Sequence, residues 1–587
     1  MPRSNTRLAA ALVACSGAMS TAGAQTASVL LREGDPLPAA PGHLVTTIGE
    51  PTTNSVGGYA TGLTSSDGVT TLSHSWGNVA EAAGNLLFSE QTNIAGYDQT
   101  AWEGFFGIDN LGRTAYSPTC NVTGGGATGL DCTWIDGTPI AIEGQPILAL
   151  PGMVFRFNSR VGMASAVGEP YWIGGINTAG GANMGEGLFF GAGQLLGIKT
   201  GDPSPAPLTS TITDCDFDVR FSAAAAHWIM NVDTTDAAGG DEWLLIDGSI
   251  AMCNGGGLVG EGQVVPVAAG GDGVEAWTAT FGSLGINDAG DHCYEADTTA
   301  AAGIDGVIVL NGAIRWREGD VVDGLTLTGA PLALSLNENG DVAHSWSTTG
   351  GIEAIFFNDE LLVKEGDLID WTGDGVADAG FVLTDIAGIT TLALGAPVSG
   401  SAATYFHGDV DTNGGGTLAG FFRVRAASPG MAFCYGDGTG AGCPCANETP
   451  VGANAGCFSS LGLGGKLVAT GSASISADTI TLLGSQMPNS SALYFQGTNQ
   501  SGFPAGSGTA FGDGKRCAGG TTIRLKTVTN VAGTSHYPDV VDAPVSVRGA
   551  VSAPGTRTYQ VWYRNAAAFC TQSTFNLTNG WSIAWNL

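Results

Sequence analysis

Short apolar runs, five to ten residues long and bounded by turn-forming residues, follow one another from Ser28 to the C-terminus. Many alternate apolar with polar, the period of a strand with one buried face. Several pairs meet at Asp-Gly or Asn-Gly: Trp134-Ile-Asp136-Gly137, Leu244-Leu-Ile-Asp247-Gly248 and Val309-Leu-Asn311-Gly312, with Phe356-Phe-Asn358-Asp359 as a variant. These residues supply the positive φ angles of a two-residue hairpin turn, so each tip predicts two antiparallel strands. A second kind of turn stands upstream in the same units: Asp109-Asn-Leu-Gly112, Asn177-Thr-Ala-Gly180, Asn287-Asp-Ala-Gly290 and Asn337-Glu-Asn-Gly340.

A third phrase sets the period. Arg32-Glu-Gly34-Asp35, Glu143-Gly144-Gln145, Thr200-Gly201-Asp202, Glu261-Gly262-Gln263, Arg317-Glu-Gly319-Asp320 and Lys364-Glu-Gly366-Asp367 each close an apolar run, and their glycines are separated by 110, 57, 61, 57 and 47 residues. The first interval spans two units, with a degenerate copy expected near Glu90-Gln91. A unit of this length holding three clear strands and a weaker fourth matches a propeller blade. Only Ser28 to Arg32 precedes the first copy, whereas Ala402 to Arg425 lacks one. The N-terminal strand is therefore expected to complete the last blade and to close a ring of about seven, leaving no open sheet edge.

The four Asn/Asp-x-x-Gly turns, with Ala115-Tyr116 and Ala343-His344 after two of them, resemble the bacterial tandem-repeat proteins named for the pattern N-x-x-G-x-x-A-F. The resemblance spans roughly residues 28–425 and implies secretion and repetition without a particular reaction. From Pro429-Gly430 onward the sequence is different. Cys434-Tyr-Gly-Asp-Gly, Cys443-Pro-Cys445, Phe511-Gly-Asp-Gly-Lys-Arg-Cys517 and Tyr559-Gln-Val-Trp-Tyr-Arg564 look like a C-terminal module carried by other large secreted bacterial proteins. The expected fold class is thus all-β: residues 25–428 a propeller-like repeat domain, and residues 429–587 a disulfide-bearing β-sandwich module.

Composition narrows the compartment. The 587 residues include 93 Gly and only 13% charged residues, which disfavours long helices. Residues 1–24 read as a signal peptide: Arg3 and Arg7, an apolar stretch from Leu8 to Ala14, and Ala22-Gly-Ala24 before the cut. Leu12-Val-Ala-Cys15 offers the rival reading of a lipoprotein anchored at Cys15. No other apolar stretch is long enough to span a bilayer. Of 12 cysteines, six fall after residue 430 (Cys434, Cys443, Cys445, Cys457, Cys517, Cys570), an even set for which three disulfides are expected. Cys120, Cys132, Cys215, Cys253 and Cys293 are an odd set, of which Cys120 and Cys132 are placed to close one hairpin.

Charge is segregated. Residues 25–429 hold 11 Lys and Arg against 47 Asp and Glu, while residues 430–587 hold 8 against 6. The acidic body repels nucleic acid and anionic membranes and attracts cations. Two segments have the oxygen spacing of calcium loops: Asp370, Thr372, Asp374 and Asp378 around Gly375, where Phe381 replaces the bidentate glutamate, and Asp409, Asp411 and Asn413 before Gly414. His74, His292 and His344 share an even offset from their turn glycines and hence one strand face; they would line a central channel if their strands are innermost, and inherited packing is the simpler reading. Trp102, Trp172, Trp277 and Trp371 are sugar-stacking candidates for which core packing is again simpler.

No nucleophile elbow, zinc helix or phosphate-binding loop is present. The leading functional reading is a secreted or cell-surface binding or scaffold protein, directed at an extracellular glycan or surface component and stabilised by Ca2+. The alternatives are a secreted polysaccharide hydrolase or lyase working in the channel, and a structural surface-layer component.

Overall fold

The structure is a computed structural model that describes residues 26–585 except 216–217, 387–391, 397–401, 413, 427–428, 451–452, 472, 476–477, 504, 532, 540, 567–568 and 570; within strands, the side chains of 103–105 and 280 are not described. The expected signal peptide lies outside the described residues.

Among the described residues, 28–425 build seven antiparallel blades and one small two-stranded sheet, Met252–Cys253 with Gly257–Leu258. Blades 1 to 3 begin with Leu44–Thr53, Tyr97–Ile108 and Met153–Ala164, and each adds three further strands in sequence order. The first position of blade 4 is split between Ile212–Asp214 and Val219–Phe221, both paired with Trp228–Thr234. Blades 5 and 6 begin with Trp277–Ile286 and Leu325–Leu336. Blade 7 takes Phe381–Asp385 and Ala393–Leu394 as its first position, then Ala403–Thr412 and Thr417–Arg425. Its outer strand is Ser28–Arg32, with Ser28 opposite Arg423 and Arg32 opposite Gly420. The ring thus closes with the N-terminal strand where the repeat phase requires it. Val29 and Leu31 are buried there, and the last Thr417–Arg425 edge is covered.

The recurring phrases have recurring bonds. At the hairpin tips Asp136, Asp247, Asn311 and Asn358 adopt φ of 47° to 51°. Their side-chain Oδ1 accepts from the backbone N–H that starts the second strand, at Thr114, Trp228, His292 and Val342. In the Glu-Gly-Asp phrase the glycine takes a left-handed turn, as at Gly319 with φ of 90°. The aspartate behind it accepts the N–H three residues back: Arg32, Lys199, Arg317 and Lys364 for Asp35, Asp202, Asp320 and Asp367. The glutamate ties the outer strand to the third, Glu143 accepting from Asp131 N and Glu365 from Glu353 N. Glu90 does the same for Ser73 N, so the degenerate copy keeps the phrase's role.

In residues 431–585 a six-stranded sheet containing Ser491–Gln500, Gly555–Arg564 and Gly580–Trp585 accompanies a three-stranded one of Lys466–Thr470, Thr481–Ser485 and Ser535–Tyr537. Leu467 and Leu482 from the smaller sheet share one apolar cluster with Tyr494, Val561 and Ile583 from the larger, which makes a two-layer sandwich. Cys434 is bonded to Cys517 and Cys443 to Cys457; Cys445 is also disulfide-bonded, and Cys570 lies outside the described residues.

Candidate functional site

The first strands of all seven blades converge on one cavity of about 200 Å³ along the ring axis. Many of its lining side chains are small or apolar, and the charged ones are Glu50 of blade 1, Asp218 and Arg220 of blade 4 and Glu338 of blade 6, with Tyr171 of blade 3 beside them. Asp218 and Arg220 alternate along the short inner strand of blade 4, so both side chains leave it on the same face. Arg220 Nη1 donates to Asp218 Oδ1 at 2.6 Å and to Val219 O at 2.9 Å. Asp218 Oδ2 accepts from Leu284 N of blade 5 at 3.2 Å, which locks the pair to its neighbour. Tyr171 of blade 3 meets the guanidinium and stacks on Phe221 with ring centroids 4.7 Å apart. It reaches over Gly162, where a Cβ would lie 2.2 Å from Tyr171 Cζ, so this position requires glycine. Glu50 of blade 1 adds a further negative charge facing Arg220.

Burial by itself would lower the Arg220 pKa, but Asp218, Tyr171 and Glu50 more than offset it and hold the guanidinium charged. Its side chain nevertheless keeps 37% of its exposure, all the more notable for a group on the innermost strand of a closed ring. Donors that face an open cavity rather than protein are available to a ligand. Close by, burial raises the Glu295 carboxyl to about 7, with the Asp218 and Asp297 charges adding to the effect against a hydrogen bond from Ser283.

One mouth of the cavity is rimmed by Asn/Asp-x-x-Gly turns that link the first and second strands of their blades, those led by Asp109, Asn287 and Asn337 and a further one, Asn54-Ser-Val-Gly57; the Asn177–Gly180 turn instead joins the second and third strands of blade 3. The leading residue accepts two backbone N–H bonds within its own turn, as Asn287 does from Ala289 and Asp291. Where it is asparagine it also donates to the next blade: Asn54 Nδ2 to Asp109 O at 3.1 Å, Asn287 Nδ2 to Asn337 O at 3.3 Å, and Asn337 Nδ2 to Gly395 O at 3.5 Å. Glu338 of blade 6 reaches further, accepting from Ala223 N of blade 4 and Asp288 N of blade 5.

The residues singled out from the sequence lie elsewhere. His74 is on the third strand of blade 1, and His292 and His344 are on second strands, so none lines the cavity and the channel-facing arrangement is corrected. His74 is held between Ser65 Oγ and Ser89 Oγ, each at 2.7 Å. His344 Nε2 donates to Asn358 O and its Nδ1 accepts from Trp346 Nε1. Burial pushes both imidazoles down to about 4, so they serve as neutral packing groups. Trp172, Trp277 and Trp371 are buried, and half-buried Trp102 stacks on Tyr116 at 4.1 Å.

Asp370, Thr372, Asp374 and Asp378 do form one tight turn. Asp370 accepts from the N–H groups of Gly373, Asp374 and Gly375, and Asp378 Oδ2 accepts from Trp371 and Thr372. Asp374 is exposed, with Oδ1 accepting from Val376 N. Their carboxylates do not converge: among the described residues the acidic trio within 4.8 Å of one another is Glu353, Glu365 and Asp385. Asp409 and Asp411 lie on the strand Ala403–Thr412, with Asp409 opposite Asp385, and Asn413 lies outside the described residues. Sequence reasoning missed Asp218, Arg220 and Tyr171. The available signal was an arginine two residues after an aspartate in a body with few cations.

No family model and no curated protein matches the chain. Among solved structures it overlaps prolyl oligopeptidase B from Galerina marginata with 10% identity and a TM-score of 0.33, covering 77% of this chain and 56% of that one. It also overlaps the PQQ-bound aldose sugar dehydrogenase from Streptomyces coelicolor (10% identity, 55% and 93% coverage, TM-score 0.22) and the N11 neuraminidase-like protein of A/flat-faced bat/Peru/033/2010 (7%, 68% and 98%, TM-score 0.21). Overlaps this loose carry no chemistry to the present chain.

Proposed function

We propose that this protein is an extracellular β-propeller binding scaffold whose axial cavity takes one small, polyhydroxylated unit, such as a single sugar residue of a surface glycan. The observation that supports the reading is the Asp218–Arg220 pair: charged, fixed by Leu284 N, yet open to the cavity beside Tyr171 and Glu50. Alternating donors and acceptors suit hydroxyl groups, whereas an anion would meet Glu50 and Asp218 as well as Arg220. The volume of about 200 Å³ is below the roughly 300–1,000 Å³ of drug-sized ligand sites, so one ring fits better than an oligosaccharide. A glycan array with product analysis of each hit tests this. A hit bound without turnover, and weakened about tenfold or more in Arg220→Ala, is the expected result; about 1.4 kcal/mol per tenfold is within the range of a charged hydrogen bond. A hit that Arg220→Ala binds as well as the parent chain would move the site away from the cavity.

One observation favours an enzyme reading. A carboxyl raised to about 7 at Glu295, with the Asp218 carboxyl beside it, is the kind of pairing that acid/base chemistry on glycosidic bonds employs. Cleaved product in the array, lost in Glu295→Gln, would decide for it.

Calcium belongs to the proposal on the oxygen spacing of Asp370 to Asp378 alone. An ion there needs Asp374 and Asp378 drawn toward Asp370. A melting midpoint that is higher in millimolar calcium than in chelator, and insensitive to calcium in Asp374→Ala, is its expected signature. Equal midpoints in the parent chain would leave a carboxylate-capped turn.

A further inference from the structure

Cys215, Cys253 and Cys293 are buried at three separate places, but Cys120 and Cys132 share blade 2. Cys120 stands opposite Leu130 in the ladder between Thr114–Val122 and Leu130–Ile135, and Cys132 is two residues further along that partner strand. The two side chains therefore occupy diagonal positions on one face of the sheet. Both residues are 0% exposed and share one apolar cluster; each thiol donates along its own strand, Cys120 Sγ to Pro118 O at 4.0 Å and Cys132 Sγ to Leu130 O at 3.5 Å.

Diagonal neighbours in a sheet are about 7–8 Å apart at Cα, beyond the roughly 6.8 Å that disulfides usually span, so closing a bridge requires the two strands to shift toward one another. Slack in the ladder is present at this point. Pro118 has no N–H to offer the facing strand, and Ser117 Oγ donates to Cys132 O at 2.7 Å instead. The hairpin tip beyond Cys120 and Leu130 is exposed from residue 124 to 129, so opening that starts at the tip uncovers the thiols early.

We infer that Cys120 and Cys132 form a reversible cross-strand disulfide, closed by thiol–disulfide exchange with a small-molecule disulfide and reopened by a dithiol. The order of attack follows from their contact. The neighbouring Cys132 thiol holds Cys120 below the usual thiol range, and Cys120 with burial pushes Cys132 up. The Cys120 thiolate attacks one sulfur of the small disulfide, forming a mixed disulfide and releasing one small thiol. Cys132 then gives up its proton and attacks Cys120 Sγ, releasing the second small thiol. Two protein thiols are oxidised and one external disulfide is reduced to two thiols. The bridge joins the second and third strands of blade 2 beneath the Trp102–Tyr116 stack. That stack backs Phe106, which lines the axial cavity, so closure stiffens one wall of it.

The test uses the folded full-length chain, equilibrated in glutathione buffers from reducing to oxidising, acid-quenched, unfolded, alkylated and mapped. The expected result is the loss of two labelled thiols among the five at positions 120, 132, 215, 253 and 293, with a linked peptide joining positions 120 and 132 that disappears again in reducing buffer. Cys120→Ser and Cys132→Ala should each abolish the link, and Cys293→Ser should leave it. Retention of all five labels at every ratio overturns the inference, as does a link that forms only when oxidant meets the denatured chain.

Discussion

The Glu295 carboxyl is the residue whose behaviour most directly reports the interior of the ring. Its folded pKa is raised from 4.5 to about 7, by burial first and then by the charges of Asp218 and Asp297. The folded state therefore holds a proton that the unfolded chain has already lost between those two pH values. Stability is fully present below about 4.5, falls as pH rises, and levels off above about 7. A shift of this size is worth at most about 3 kcal/mol, and less once exposure is allowed for. Denaturant unfolding at pH 5 and pH 8 should show that fall in the parent chain and a flatter profile in Glu295→Gln. A parent profile as flat as the variant's would mean that the carboxyl is ionised in both states.

At the scale of elements, the same turns that set the repeat also join the blades. Asn287 binds two backbone N–H groups of its own turn and the carbonyl of Asn337 in the next blade. Asp109 keeps the intra-turn bonds from Leu111 and Arg113 and turns its other oxygen to Arg113 Nε at 2.7 Å. Replacing the amide by a carboxylate therefore removes the donor that crosses to the neighbour. Asn287→Asp should lose both Nδ2 bonds, to Asn337 O and to Asp291 Oδ2, and set a carboxylate against Asp291, costing about 2–3 kcal/mol, while Asn287→Ala should lose the two turn bonds as well, costing about 3–4 kcal/mol. Thermal unfolding of the two variants gives the comparison, and equal losses would assign the whole effect to the Nδ2 donor rather than to the turn.

At the scale of the molecule, closure rests on five residues supplied by the other end of the repeat domain. Ser28–Arg32 pairs with Thr417–Arg425, Asp370 N donates to Ala27 O, and the Arg32 guanidinium lies 5.3 Å from the Trp371 ring centroid. A chain lacking residues 26–32 should keep blades 1 to 6, expose the Thr417–Arg425 edge, melt earlier and associate through that edge. Light scattering and thermal unfolding test this together; a monomer with the parent midpoint would show that the ring does not depend on the strand.

Strand, turn and blade period were legible in the sequence because each is local. Asp136, Asp247, Asn311 and Asn358 reveal themselves by the φ their turn demands, and the Glu-Gly-Asp phrase by a bonding pattern completed within one blade. The phase of those phrases even located the closing strand, since a unit missing its last strand at one end and having one to spare at the other has a single economical solution. The cavity is different in kind. Asp218, Arg220, Tyr171 and Glu50 are brought together from three blades across more than 160 positions of sequence, and none lies in a repeated phrase. The histidines were conspicuous for the opposite reason, since repetition marks what every blade needs for packing. Local chemistry fixes which residues turn and pair. Which strand becomes innermost, and which side chains meet on the axis, depends on how seven twisted sheets pack around a common centre, and only the tertiary structure decides that.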